Sequence, residues 1–180
     1  MDKDKILEIK NNILSLVDNY STINFKEKEF VPGVSDVPVS GKVIGALEIK
    51  NMVEASLDGW LTAGRFNTSF EQELASFIGI KSLITVNSGS SANLVMIAAL
   101  KKYFDWSDGD EIIVSCVGFP TTIAPIVQNG LVPVFVDISW DDLNWNLNEV
   151  EKKITPKTRA VFSSPVLGNP YDIEKLNQIC

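Results

Sequence analysis

The chain has 180 residues, 45% of them hydrophobic and 22% charged, with a formal net charge of −7. That length supports an ordinary domain with a real core, and the apolar content argues against intrinsic disorder. No apolar run approaches the roughly 20 residues of a membrane span, and an acidic chain with two arginines is a poor match for nucleic acid.

The N-terminus, MDKDKILEIK, mixes both charge signs without an uninterrupted apolar stretch, so it does not read as a secretory signal. Over residues 3–17, Ile6, Ile9, Ile13, Leu16 and Val17 recur at three- and four-residue spacing and predict an amphipathic helix. Pro32, Gly33, Pro38 and Gly41 mark an irregular stretch over residues 20–42. Helices are predicted over residues 46–58, closed by Gly59, and over 68–78, closed by Gly79. From residue 82 the pattern changes. Short β-rich runs at 83–86, 111–115, 132–136 and 159–163 alternate with helical stretches at 92–102, 122–128 and 147–154. This alternation predicts an α/β fold with a largely parallel sheet covered by helices. A last helical segment, 172–180, has no closing glycine or polar tail, and the sequence reads as the front part of a longer protein.

There is no histidine, which removes Ser-His-Asp chemistry and the usual neutral-pH base. Cys116 and Cys180 are too few for a disulfide framework, form no CxxC pair and fit a reducing cytoplasm. Cys116 reads as a small apolar residue of the sheet. Catalysis here therefore depends on other groups or on a cofactor.

The strongest local signal is Asn87-Ser88-Gly89-Ser90-Ser91-Ala92-Asn93, between a predicted strand and a predicted helix. A helix N-terminus presents unpaired N–H groups and partial positive charge, glycine permits close approach, and serine hydroxyls add donors. The pattern suits a phosphate group, although Ser90 or Ser91 as a simple helix cap explains it equally well. It matches neither the P-loop nor the dinucleotide fingerprint. The next predicted βα turn, Val117-Gly118-Phe119-Pro120-Thr121-Thr122, opens on the same rim if the strands are parallel, and Phe119 could cover a flat ligand there. A core role is the commoner fate of a lone phenylalanine. A third segment, Ser163-Ser164-Pro165-Val166-Leu167-Gly168-Asn169-Pro170, should share that rim, where Asn169 either contacts a polar ligand or starts a turn. The acidic residues between Asp137 and Asp142 show no metal-binding spacing and read, with Asn144 and Asn146, as a solvated loop.

Together with Ser40-Gly41-Lys42 and Gly59-Trp60-Leu61-Thr62-Ala63-Gly64-Arg65-Phe66-Asn67, these segments resemble the sugar aminotransferase family, the pyridoxal-phosphate enzymes of nucleotide-sugar biosynthesis. The Thr-Ala-Gly-Arg-Phe-Asn run, the double serine and Leu-Gly-Asn-Pro are most similar to its CDP-4-keto-6-deoxy-glucose 3-dehydratase branch, which serves 3,6-dideoxysugar and lipopolysaccharide synthesis. The resemblance covers residues 38–180. It implies the N-terminal part of an aspartate-aminotransferase-like (fold type I) large domain over 41–180, preceded by an N-terminal helix and extended arm over 1–40. It assigns Gly89, Ser90 and Ser91 to the phosphate of pyridoxal or pyridoxamine phosphate and Phe119 to its ring. Arg65 and Asn169 become candidate substrate contacts, and Pro165 departs from a histidine found in many relatives.

The same resemblance implies a cytoplasmic homodimer acting on a nucleotide sugar, with a reductase as a further partner and no membrane insertion or nucleic acid. Its catalytic lysine or histidine, and the aspartate that pairs with the cofactor ring, are expected beyond residue 180. The 180 residues alone are therefore expected to be inactive. The branch is associated with an iron–sulfur cluster, to which Cys180 is a candidate ligand. Two alternatives stand beside the dehydratase: a nucleotide-sugar aminotransferase, and a non-catalytic fragment retaining part of a phosphate site or dimer interface.

Overall fold

The computed structural model describes residues 2–26, 29–38, 40–165 and 168–180. They form two compact units, one up to Ile84 and one from Thr85 onward. The first is helical: α1 (Lys3–Asn24), α2 (Ala46–Leu57) and α3 (Arg65–Ile78). Helix α1 continues well past residue 17 because no proline or glycine interrupts it, and Ser21 prolongs the buried stripe begun by Leu14. It packs on α2, with Lys10 bonded to Glu54 at 3.0 Å. Helix α3 starts earlier than residue 68, directly after Gly64, and stops at Gly79, whose φ of 79° is left-handed.

The second unit contains α4 (Gly89–Tyr103), β1 (Glu111–Ser115), α5 (Pro120–Gln128), β2 (Val132–Val136), α6 (Leu147–Lys152), β3 (Thr158–Phe162) and α7 (Ile173–Ile179). The strands are parallel in the order β2-β1-β3. As the central strand, β1 is buried on both faces, which is why it reads as a continuous apolar run. Its side chains alternate between two cores. Ile112 and Val114 pack with Ile97, Ile126 and Leu131, while Ile113 packs with Val136, Trp145, Leu147, Val150 and Leu176.

Edge strand β2 tolerates Pro133. Val132 N and Val136 O bond toward β1, so alternation turns Pro133 to the outer edge, where its missing N–H costs no ladder bond. On the same edge, Lys153 Nζ donates to the Phe135 carbonyl.

Residues 83–86 form no strand, contrary to the expectation from their composition. A β-prone run becomes a strand only where a neighbour takes its backbone groups. The described sheet consists of β2, β1 and β3, with residues 83–86 in none of its ladders, and Ile84 is exposed. The α/β architecture and its parallel sheet agree with the expectation.

Candidate functional site

Ser88, rather than Ser90 or Ser91, caps α4: its Oγ accepts from Ser91 N at 3.2 Å. Ser88 Oγ also lies 3.2 Å from Ser91 Oγ, so Ser91 is engaged in the cap. The cap leaves the first amides of the helix, at Gly89 and Ser90, pointing beyond its end with no intrahelical acceptor. A methyl group added at Gly89 would meet no atom within 4 Å, so the backbone there lies open to an approaching group.

Phe119 sits at the N-cap of α5 with its ring largely exposed, and Pro120 occupies the first helical position. Both helices begin at the carboxyl ends of the sheet. Gly89, Ser90, Asn93, Phe119, Thr122 and Ser163 line one cavity of about 570 Å³ at that rim. A second cavity of about 390 Å³ shares Phe119, Thr122, Phe162 and Ser164, and is walled by Val114, Ile123 and Trp145. The first cavity is rich in hydroxyl and amide donors, and the second is mostly apolar. Phe119 belongs to both.

The structure thus brings together Gly89, Ser90 and Phe119, whereas Ser91 is not among the residues lining either cavity. Asn93, Thr122 and Ser163 join them. Asn93 lies one helical turn beyond Gly89, and that i, i+4 spacing within the glycine-serine motif was the signal available for it. Ser163 Oγ is buried without a hydrogen-bond partner among the described residues, a costly state that a polar ligand would relieve.

Asn169 is exposed, and its Nδ2 donates to the Asp142 carbonyl at 2.8 Å. Asn144 returns the link, its Nδ2 donating to the Pro170 carbonyl at 3.3 Å. Asn144 is therefore buried rather than part of a solvated loop, and Trp145 beside it is buried against the sheet. Leu167 and Val166, within the third motif, lie outside the described residues.

In the N-terminal unit, Arg65 is held by carboxylates. Its Nε lies 2.7 Å from Asp58, and its Nη2 lies 2.8 Å from Glu54. Lys10 and Arg65 keep the Glu54 carboxyl below the usual carboxylate range, and Arg65 does the same for Asp58. Trp60 Nε1 donates to the Ala63 carbonyl at 2.9 Å, and a cavity of about 520 Å³ lies between this loop and Arg65.

Cys116 lies just past β1 with its side chain exposed, donating to Asp137 Oδ1 at 3.3 Å, and is not a core residue. Partial desolvation of the sulfur where it meets Asp137, and then that neighbouring carboxylate, push its thiol up, away from thiolate reactivity. Cys180 is also a free, exposed thiol. Among the described residues no group of three or more metal-ligating side chains occurs.

Residues 43–180 match the DegT/DnrJ/EryC1/StrS aminotransferase family. The chain is 45% identical to the lipopolysaccharide biosynthesis protein RfbH of Salmonella typhimurium, over 95% of this chain and 40% of that protein. It is 37% identical to the dTDP-4-dehydro-2,6-dideoxy-D-glucose 3-dehydratase of Saccharopolyspora spinosa, over 98% of this chain and 39% of the relative. Its fold is similar to that of an E. coli GDP-4-keto-6-deoxy-D-mannose-3-dehydratase solved with bound hydrated PLP. There the TM-score is 0.72 at 35% identity, over 80% of this chain and 38% of the other. The chain spans about 40% of the length of the curated relatives it matches.

Proposed function

This chain belongs to the DegT/DnrJ/EryC1/StrS aminotransferase family, and from that premise we propose that it is the N-terminal portion of a nucleotide-sugar 3-dehydratase dependent on pyridoxal or pyridoxamine 5′-phosphate. The proposed substrate is a CDP-linked 4-keto-6-deoxyhexose, and the proposed role is 3,6-dideoxysugar synthesis for surface polysaccharide. Relatives named as 3-dehydratases favour dehydration over simple amino transfer, and RfbH, named for lipopolysaccharide biosynthesis, favours the surface-polysaccharide role.

The observation that carries the reading is the cavity joining Gly89, Ser90, Phe119 and the unpartnered Ser163 hydroxyl at the carboxyl ends of parallel strands. Those residues fit the cofactor. The amides of Gly89 and Ser90, with the Ser90 hydroxyl, are donors for its phosphate, and the helix end adds partial positive charge. In this reading Ser91 keeps the cap tight and supports Ser90. Phe119 offers a ring face to a flat heterocycle, and the apolar wall of Val114, Ile123 and Trp145 excludes water. When bound, the cofactor supplies an electron sink for bonds broken beside its nitrogen. No lysine lines either cavity among the described residues, so these residues bind and orient, and the proton-transferring group is proposed to lie outside this chain.

Arg65 and Asn169 are the proposed substrate contacts, and each would have to serve while retaining Asp58 and Glu54, or the Asp142 carbonyl. A homodimer, a separate reductase and a cytoplasmic location complete the proposal. An iron–sulfur cluster takes about four thiolates. Cys116 and Cys180 alone do not suffice for one, and Cys180 is proposed as a single ligand beside further cysteines of the complete protein.

The test is product analysis of the complete protein with pyridoxamine 5′-phosphate, glutamate and a nucleotide-linked 4-keto-6-deoxyhexose. Loss of the C3 hydroxyl by nuclear magnetic resonance supports the dehydratase. A new C4 amine formed at the expense of glutamate supports the second reading, an aminotransferase, which the family's name favours. Neither product, with cofactor retained, points to a non-catalytic binding fragment.

A further inference from the structure

We propose that Asn93 is a positioning residue that holds the Phe119 turn in register with the Gly89–Ser90 turn, and that Pro125 creates the acceptor it uses. In an α-helix the amide of residue 125 would donate to the carbonyl of residue 121. Pro125 has no N–H, so the Thr121 carbonyl loses its helical donor. Asn93 Nδ2 donates to that carbonyl at 3.1 Å in a part-buried setting.

The bond crosses from α4 to α5, elements that pack against each other, and both ends lie on the cavity wall. Gly89 and Asn93 share one face of α4, and Thr121 follows Phe119 by two residues. A shift of α5 along α4 would therefore break the bond and move Phe119 relative to Gly89 together. Regular α-helical pairing sends the Ala124 and Ile126 amides to the carbonyls of residues 120 and 122, so Pro125 removes the one amide that this pairing assigns to the Thr121 carbonyl, and Asn93 supplies a donor in its place. The consequence for ligand rests on the cofactor reading above, whereas the link between the two turns does not.

The experiment compares the unaltered full chain with Asn93→Ala, Pro125→Ala and the double variant, by urea unfolding and by binding of pyridoxamine 5′-phosphate. P125A restores a donor to the Thr121 carbonyl, so the unfolding penalty of N93A should shrink about threefold or more in that background. N93A should weaken pyridoxamine 5′-phosphate binding about 3- to 10-fold, with partial recovery in the double variant. N93D, of nearly equal size but placing a carboxylate against the carbonyl, should bind more weakly than N93A. Strict additivity of the two substitutions in unfolding overturns the proposal, as does unchanged binding in both N93A and N93D. If the unaltered chain fails to bind pyridoxamine 5′-phosphate while the unfolding cycle remains non-additive, the positioning role stands and the cofactor reading falls.

Discussion

Arg159 grips Asp110 through two hydrogen bonds, Nε to Oδ2 at 2.8 Å and Nη2 to Oδ1 at 3.2 Å. Asp110 precedes β1 and Arg159 lies on β3, so the pair clamps the amino ends of two neighbouring strands, opposite the cavity rim. Ser107 N donates to the same carboxylate at 2.9 Å. The clamp joins segments 49 residues apart in sequence, and no local pattern announces it.

The Arg159 guanidinium, and then the Ser107 amide, hold the Asp110 carboxyl below its ordinary value. A carboxyl lowered in the folded state contributes stability that is fully present above its unfolded value, about 3.9, and is lost as pH falls through the lower folded value. Thermal melts should therefore show Tm falling below about pH 4. Asp110→Asn should lower Tm at neutral pH and narrow its deficit against the unaltered chain as the pH falls through that range. A deficit independent of pH would show that the charge of Asp110 contributes nothing.

Ile113 is fully buried at the centre of the core that α6 and α7 build against the sheet. Ile113→Ala should cost about 2–5 kcal/mol, through lost burial and the cavity left behind. Val132 is half-exposed on the edge strand, and Val132→Ala should cost less than about 1 kcal/mol. Urea unfolding midpoints measure both. Equal costs would mean that β1 is not the central strand.

Strands β1 and β2 were legible to the residue, because each is a short apolar run bounded by turn residues, and β1, covered on both faces, stays apolar throughout. Residues 83–86 have the same local character yet form no strand, because strand formation depends on neighbours that are not written in local sequence. Helices α3 and α4 begin at Arg65 and Gly89, three residues before the pattern predicts, because Gly64 and Ser88 precede the first strongly helical residues. The glycine-serine turn and Phe119 were legible as motifs. Asn93, Ser163 and the Asn144–Pro170 and Asn169–Asp142 links were not, because their partners lie 26 to 28 residues away or, for Ser163, because the signal is an absent partner within a formed cavity.

Gly130 closes α5 with a φ of 72°, and its carbonyl accepts from Gly109 N at 2.8 Å. A Cβ there would stand 2.8 Å from Asp108 Oδ1. Asp108 is in turn paired with Lys101, which also donates to the Asn129 carbonyl at 2.6 Å. Gly130→Ala should therefore destabilise by about 1–2 kcal/mol from the left-handed backbone alone. Adding Asp108→Ala should relieve the contact and leave that backbone cost. Full recovery in the double variant would assign the whole effect to the carboxylate.

Gly89 separates the fold from the site. It lines the cavity, yet an added methyl would meet no atom within 4 Å, so Gly89→Ala should leave Tm unchanged within a degree or two, about the scale of a surface substitution. If a phosphate approaches the amides of Gly89 and Ser90 closely, the same methyl intrudes on it, and pyridoxamine 5′-phosphate binding should fall at least about tenfold. Phe119→Ala, which removes an exposed ring, should likewise spare stability and weaken binding about 3- to 10-fold. Equilibrium dialysis on these two variants reads the phosphate end and the ring end separately. Loss at Gly89 alone would indicate an anion site without a stacked ring, because the backbone amides act on charge and Phe119 acts on a flat surface. Loss at both requires a single ligand long enough to touch both turns, which is the requirement that pyridoxamine 5′-phosphate meets.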